Sequence, residues 1–251
     1  MERCEYNKLD RVENRMWWFA ASQRNLLMLS RRQMPAESGG QPILDAGCGT
    51  GGFLVQLAIR YPNHALFGLD ADLLACQRAA AKSVRPVCVG SINTLPFPER
   101  TFAAIFSVDV LCHSAVDECC ALQQFHRCLV DNGWLFVNLP AYSWMLSAHD
   151  AAVHNARRYT AKSLSRLLEA GGFRIVYVTY WNAVLFPLMV ITRKFLCRRG
   201  RTSDVMEYPR AIDSLCRVAT SFETTLLRNG VRLPFGSSVI AIATKRSSDR
   251  E

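Results

Sequence analysis

No uninterrupted apolar run in these 251 residues approaches the ~20 that a membrane-spanning helix needs. The nearest, Ala183 to Thr192, is broken by Pro187. The opening segment, MERCEYNKLDRVENRMWWF, is too charged to read as a secretory leader. Ten cysteines are scattered along the chain with no C-x-x-C pair, so neither a zinc ribbon nor a disulfide framework is indicated. Internal repeats and low-complexity tracts are also missing. Together these absences predict a cytoplasmic protein with reduced thiols.

Half of the residues are hydrophobic and a fifth are charged, which is a globular composition, and the length suits one domain carrying insertions. The net charge is +9. Basic residues gather at Arg31-Arg32, Arg157-Arg158, Arg193 to Arg201 and Lys245-Arg246. Such an excess suits nucleic acid, an anionic membrane or an acidic substrate. Its scatter reads mainly as solvated surface.

Strand and helix signals alternate through the middle of the chain. Strands are predicted at 42–47, 64–70, 86–90, 102–110, 134–140, 173–180 and 238–245. Helices are predicted at 52–61, 72–82, 117–130 (ended by Asn132-Gly133) and 160–172 (capped by Thr160). Short connections between such units imply a doubly wound α/β fold, a mostly parallel sheet with helices on both faces. Two segments fall outside this rhythm: one helix around 12–33, carrying Met16 to Phe19, and the passage from Trp181 to Gly236, with helical spacing over 212–227.

The run ILDAGCGTGG, residues 43–52, is the most informative. Its glycines let the backbone turn sharply and approach a ligand at a helix N-terminus. Gly47, Gly49 and Gly52 also satisfy G-x-G-x-x-G, so this loop alone does not separate a nicotinamide dinucleotide from other nucleosides. Asp70 closes the second strand, where a carboxylate accepts from ribose hydroxyls, and Asp72 is free to cap the next helix. Asp45 ends the first strand. A carboxylate there would repel a pyrophosphate and suits a ligand with a positive centre.

ILDAGCGTGG, LFGLDAD, INTLPFPERTFAAIFSVDVLCH and LVDNGWLFVNLP, in that order, resemble the class I S-adenosylmethionine-dependent methyltransferases over residues 41–180, with the last strand rejoining at 238–245. The pattern MWWFAASQRNLL, HDAAVHNARRYTAKSLSRLLEAGGF and YWNAVLFP resembles a bacterial branch acting on small molecules. The resemblance implies a seven-stranded Rossmann-like sheet and one methyltransferase domain over 1–251. It divides into an N-terminal helical extension (1–40), a core (41–180 and 237–246) and a helical insertion (181–236) that caps the acceptor side. It implies that Asp45, Gly47, Cys48, Gly49 and Gly51 hold the methionine part of S-adenosylmethionine. Asp70 would take the ribose, Ala71, Ser91 and Ile92 would flank the adenine, and Ser107 and Asp109 would line the pocket. The family often has an acid after the third strand; here Gly90-Ser91-Ile92 offers only a neutral hydroxyl. A nicotinamide-dependent oxidoreductase and a non-catalytic methyltransferase-like binding protein are the alternatives.

Methyl transfer from a sulfonium expels a neutral leaving group, so positioning can supply much of the rate. A base is needed only for an acceptor that must lose a proton. The candidates are His113, His149 and His154. The last two lie in AHDAAVHNARRYT, residues 148–160, at the carboxyl edge of the expected sheet. His149, Asp150 and His154 are ligand types for a metal, but no further cluster supports one and the reaction needs none. Arg157, Arg158 and Tyr159 either contact the acceptor or tie this loop to the next helix. Nucleic acid is disfavoured: two arginines make no track, and NLPA replaces the N-P-P-aromatic motif of base-modifying relatives. Trp18 is a candidate aromatic wall for the acceptor. The passage AVLFPLMVITRKFLCRRGR joins an apolar stretch to basic residues, as expected of a lipid-like acceptor or a peripheral membrane contact.

Overall fold

The computed structural model describes residues 3–34, 40–192 and 208–246. The basic run Arg193 to Arg201 lies outside the described residues. Seven strands form one sheet: β1 (Gly40–Ala46), β2 (His64–Asp70), β3 (Val87–Val89), β4 (Phe102–Val108), β5 (Leu129–Pro140), β6 (Phe173–Trp181) and β7 (Ser238–Lys245). Their order is β3-β2-β1-β4-β5-β7-β6. Strand β7 runs antiparallel to both β5 and β6, while the other pairs are parallel. This is the doubly wound sheet expected from the sequence. β1 and β4 are neighbours although their connections leave in opposite directions, and the crevice at their carboxyl ends is where such sheets bind ligands.

The helices are α1 (Arg3–Val12), α2 (Trp17–Ser30), α3 (Gly52–Arg60), α4 (Leu73–Ser83), α5 (Glu118–Cys128), α6 (Ala148–Ala152), α7 (Ala161–Ala170), α8 (Phe186–Ile191) and α9 (Arg210–Arg228). One sheet face is covered by α5 and α7, through Leu122, Phe125, Leu164 and Leu168. The other is covered by α2 and α3, through Leu26, Leu29, Leu54 and Leu57. Each fully buried Leu or Phe contributes about 1.5–3 kcal/mol. A smaller third cluster joins Val12, Met16 and Trp17 to Cys216 of α9, and Phe19, Leu185 and Tyr208 pack against it. That cluster holds the added helices over the sheet's carboxyl edge.

Two expectations need correction. The helix expected around 12–33 is α2, which begins only at Trp17, and α1 precedes it without having been foreseen. Glu13, just after α1, accepts from Thr50 Oγ1 at 2.8 Å and pairs with Lys82 of α4. The helix at 117–130 stops at Cys128, and Cys119 faces outward. Leu129 already pairs with Phe102, so Asn132-Gly133 is not a helix end but an irregularity within β5, with Asn132 at a φ of +60°. The caps at Asp72 and Thr160 form as expected, accepting from Ala75 N and Ser163 N.

Candidate active site

A cavity of about 600 Å³ opens at the carboxyl ends of β1, β2 and β4 and runs beneath α1, α2, α8 and α9. Asp45, Gly47, Cys48, Gly49, Asp70, Ala71, Ser91, Ile92 and Asp109 all line it. So do His113, His149, His154, Trp18 and Arg158. Residues far apart in sequence therefore meet at one place.

The floor at β1 and β2 is acidic. Asp70 accepts from Gly49 N at 2.9 Å and from Asp72 N at 3.0 Å, and the Tyr6 hydroxyl of α1 donates to it as well. The loop amides fix the carboxylate and leave further lone-pair directions for hydroxyl donors. Asp45 is fully buried, and its Oδ2 has no hydrogen-bond partner. Burial, with the charges of Asp70 and Glu13 adding, pushes its carboxyl up to about 8. A buried carboxyl beside two others is costly to ionise unless a cation joins it. The ammonium and sulfonium of S-adenosylmethionine supply that charge, and the donor therefore fits this end. Gly49 fits too: at a φ of +52° it lines the cavity with bare backbone, and a Cβ there would meet nothing nearer than Leu9 Cδ2 at 3.5 Å.

Asp109 follows β4 with a φ of +56°. Asn138 Nδ2 donates to both its oxygens, at 3.1 and 3.3 Å, and Asn138 Oδ1 accepts from Trp181 Nε1 at 2.7 Å. Burial raises the Asp109 carboxyl to about 7, although Asn138 and Arg158 oppose the rise. Burial, with His154 and Arg157 adding, lowers His113 to about 4, so its ring is neutral near pH 7. His154 stands at the exposed rim, and its carbonyl accepts from Ser114 N.

Four sequence candidates do not reach the cavity lining. Gly51 serves packing: at a φ of +89°, a Cβ would lie 2.7 Å from Ala79 Cα of α4. Ser107 is fully buried within β4. Arg157 donates to the carbonyls of His113 and Val116 and lies 3.6 Å from Glu118. Tyr159 is buried, with its hydroxyl on Glu118 Oε1 at 2.7 Å and Leu111 O at 3.1 Å. Arg158 does line the cavity, but its guanidinium is committed. It makes a two-pronged contact to Asp150 at 2.9 and 3.0 Å and a third bond to Ala141 O. Burial works to raise the Asp150 carboxyl, but Arg158 and Ser147 outweigh it and hold it below the ordinary carboxylate range. The pair thus fixes AHDAAVHNARRYT in shape. Among the described residues, no group of three His, Cys, Asp or Glu is gathered as a metal would require.

Sequence reasoning missed Tyr6, Glu13 and Asn138. Asn138 had a local signal, as the polar residue inside the buried run LFVNLP. Tyr6 and Glu13 had none, because their partners Asp70, Thr50 and Lys82 lie far along the chain. The far half of the cavity is walled by Met16, Trp17, Phe19, Leu185, Leu188, Met189 and Ile212. No helix among the described residues is long and apolar enough to cross a membrane.

Comparison with known proteins agrees with this fold. A methyltransferase-domain family model covers residues 43–133. An uncharacterised protein of Methanocaldococcus jannaschii is 30% identical over 178 residues, 59% of this chain and 68% of that protein. An uncharacterised protein of Mycobacterium tuberculosis is 32% identical over 145 residues, 54% of this chain and 48% of that protein. The chain spans about half the length of the mycobacterial relatives it matches, 48% in each case. Among solved structures, a geranyl diphosphate methyltransferase in complex with S-adenosylmethionine superposes with a TM-score of 0.61 at 15% identity, over 90% of this chain and 85% of that one. At that identity the likeness concerns the fold.

Proposed function

We propose, since the chain belongs to the class I S-adenosylmethionine-dependent methyltransferases, that it transfers a methyl group from S-adenosylmethionine to a small or lipid-like organic acceptor by in-line displacement. The observation that carries this reading is the division of one cavity into a carboxylate-rich end and an apolar end. When bound, S-adenosylmethionine supplies an electrophilic methyl whose departure leaves a neutral thioether.

The chain's own residues do the rest by holding and orienting. Asp45 neutralises the donor's positive groups, Asp70 accepts from its ribose, and Gly49 lets it approach the backbone. Ala71, Ser91 and Ile92 flank the adenine. Trp17, Trp18, Phe19 and Leu185 exclude water from the acceptor side, where the inserted helices act as a cap. For an acceptor that must lose a proton, His113, His149 and His154 remain the candidate bases. Asp109 joins them, because a carboxyl near 7 accepts a proton at neutral pH. Burial, by lowering His113 to about 4, leaves it a weak base, better suited to hydrogen-bonding the acceptor. The apolar wall of Trp17, Phe19, Leu185 and Leu188 supports a lipid-like acceptor. Such an acceptor implies work at a membrane surface.

The test has two parts. S-adenosylmethionine should bind where NADH does not; the reverse result overturns the proposal. Incubation with methyl-labelled donor and an extract of the source organism should then yield a labelled product. Tight donor binding with no labelled product would favour a binding protein instead.

A further inference from the structure

We propose that the outward apolar faces of α8 and α9 seat this protein on an anionic lipid bilayer, and that the acceptor enters the cavity from there. The docking stands on the surface alone; the delivery of an acceptor rests on the methyl-transfer reading above.

Helix α9 is mounted with its apolar stripe turned away from the protein. Its inward residues are largely polar: Thr220 and Glu223 are buried with Cys216 and Leu227. Glu223 accepts from Asn182 N and Val184 N at 2.6 Å each, and Thr224 bonds Asn25 of α2 at 2.7 Å. Outward stand Leu215 and Val218, each 68% exposed, and Phe222, 60% exposed. A helix that docks by hydrogen bonds and presents leucine and phenylalanine to the outside has a second partner for that face.

The patch continues across α8. Val184, Leu188 and Ile191 are exposed. Phe186 lies between Trp144 and Phe235, 6.1 Å from each ring, and both of those rings are exposed. Leu188 and Ile212 are exposed and also line the cavity, so the apolar patch reaches it.

Charge identifies the partner. The chain carries a net charge of +9; the sequence between Thr192 and Tyr208 holds Arg193, Lys194, Arg198, Arg199 and Arg201 against Asp204 and Glu207, and Arg210 opens α9. A second copy would carry the same positive charge, which is repulsive. An anionic lipid surface attracts it.

The test is sedimentation with vesicles of mixed phosphatidylglycerol and phosphatidylcholine, and with pure phosphatidylcholine. The wild type is compared with the double variant Leu215→Ser/Phe222→Ser, whose residues lie outside the cavity. The wild type should partition onto the mixed vesicles far more than onto the neutral ones. The variant should partition at least about tenfold more weakly. Its affinity for S-adenosylhomocysteine should be unchanged, which shows it folded. Equal partitioning of wild type and variant, or none by the wild type, overturns the proposal. So does a wild-type dimer that the variant converts to monomer without vesicle binding. Loss of S-adenosylhomocysteine binding by the wild type itself would instead sink the methyl-donor reading, leaving the vesicle result to be judged separately.

Discussion

Asp45 shows most directly how one buried side chain selects a ligand. Its carboxyl sits at about 8, so it is mostly protonated at pH 7 in the ligand-free protein. A cationic ligand pulls it into the ionised form. Binding of S-adenosylmethionine at pH 7 should therefore release about one proton, and affinity should rise from pH 6 toward 8. Calorimetry in buffers of differing ionisation enthalpy reads this directly; a heat independent of buffer would refute it. The sign for stability is the reverse of the usual carboxylate case. The folded state holds this proton above the ordinary carboxylate range, so the ligand-free protein loses stability from Asp45 as pH rises from about 4 toward 8. Asp70→Ala should weaken donor binding roughly ten- to a hundredfold for each ribose hydroxyl left unpaired, since hydrogen bonds to charged acceptors are worth about 1.5–3 kcal/mol. Unchanged affinity in a titration with S-adenosylhomocysteine would remove the ribose assignment. Both residues were legible in sequence because each ends a strand beside the loop it serves. The link from Trp181 through Asn138 to Asp109 was not, because β4, β5 and β6 must first meet in one sheet, with β7 between the last two.

At the scale of elements, the glycine loop separates two jobs that sequence alone merged. Gly49 faces the cavity, while Gly51 lets α3 press against α4. Gly51→Ala should therefore destabilise the fold by roughly 1–3 kcal/mol in urea, through overpacking and a strained φ. Gly49→Ala shares the positive φ, at +52°, but meets only Leu9 Cδ2 at 3.5 Å, so it should cost less stability than Gly51→Ala while reducing donor affinity. If the two variants lose stability equally, the division fails. The connection 148–160 resolves in the same way. Its charged residues suggested a metal or acid–base cluster, yet Asp150 and Arg158 hold each other with side chains 2% and 5% exposed. Arg158→Met leaves Asp150 buried without its cation and should cost about 3–5 kcal/mol. The exposed-side neighbour variant Arg157→Ala should cost less, and urea unfolding of the pair measures the contrast. Short helices were the elements hardest to foresee. α6 and α8 are too brief to show periodicity, and the contacts of Glu13 after α1 are with Thr50 and Lys82, far along the chain.

For the whole molecule, the sheet and its switch point could be read from alternating strand and helix signals, because each unit is local and its hydrophobic pattern is strong. What closes the cavity could not, since it is assembled from both ends of the chain. α1 and the residue after it contribute Tyr6, Leu9 and Glu13 to the lining and are strapped to α4 by Lys82 on Asp10 and Glu13 and by Arg78 on the Tyr6 carbonyl. These straps are polar and partly exposed, so each is individually weak. α1 should thus open locally at lower cost than the sheet, and the donor, lying beneath it, should hold it closed. In hydrogen exchange, S-adenosylhomocysteine at about a hundred times its dissociation constant should slow the α1 amides by up to roughly 100-fold, the factor by which mass action disfavours the open form. Amides of α7, which contributes nothing to the cavity, should slow much less wherever they exchange by local opening. Lys82→Ala should raise α1 exchange in the free protein and weaken donor binding together. If α1 exchanges at the same rate with and without ligand, it is not the roof of the donor site, and the N-terminal helices serve only to carry the apolar wall.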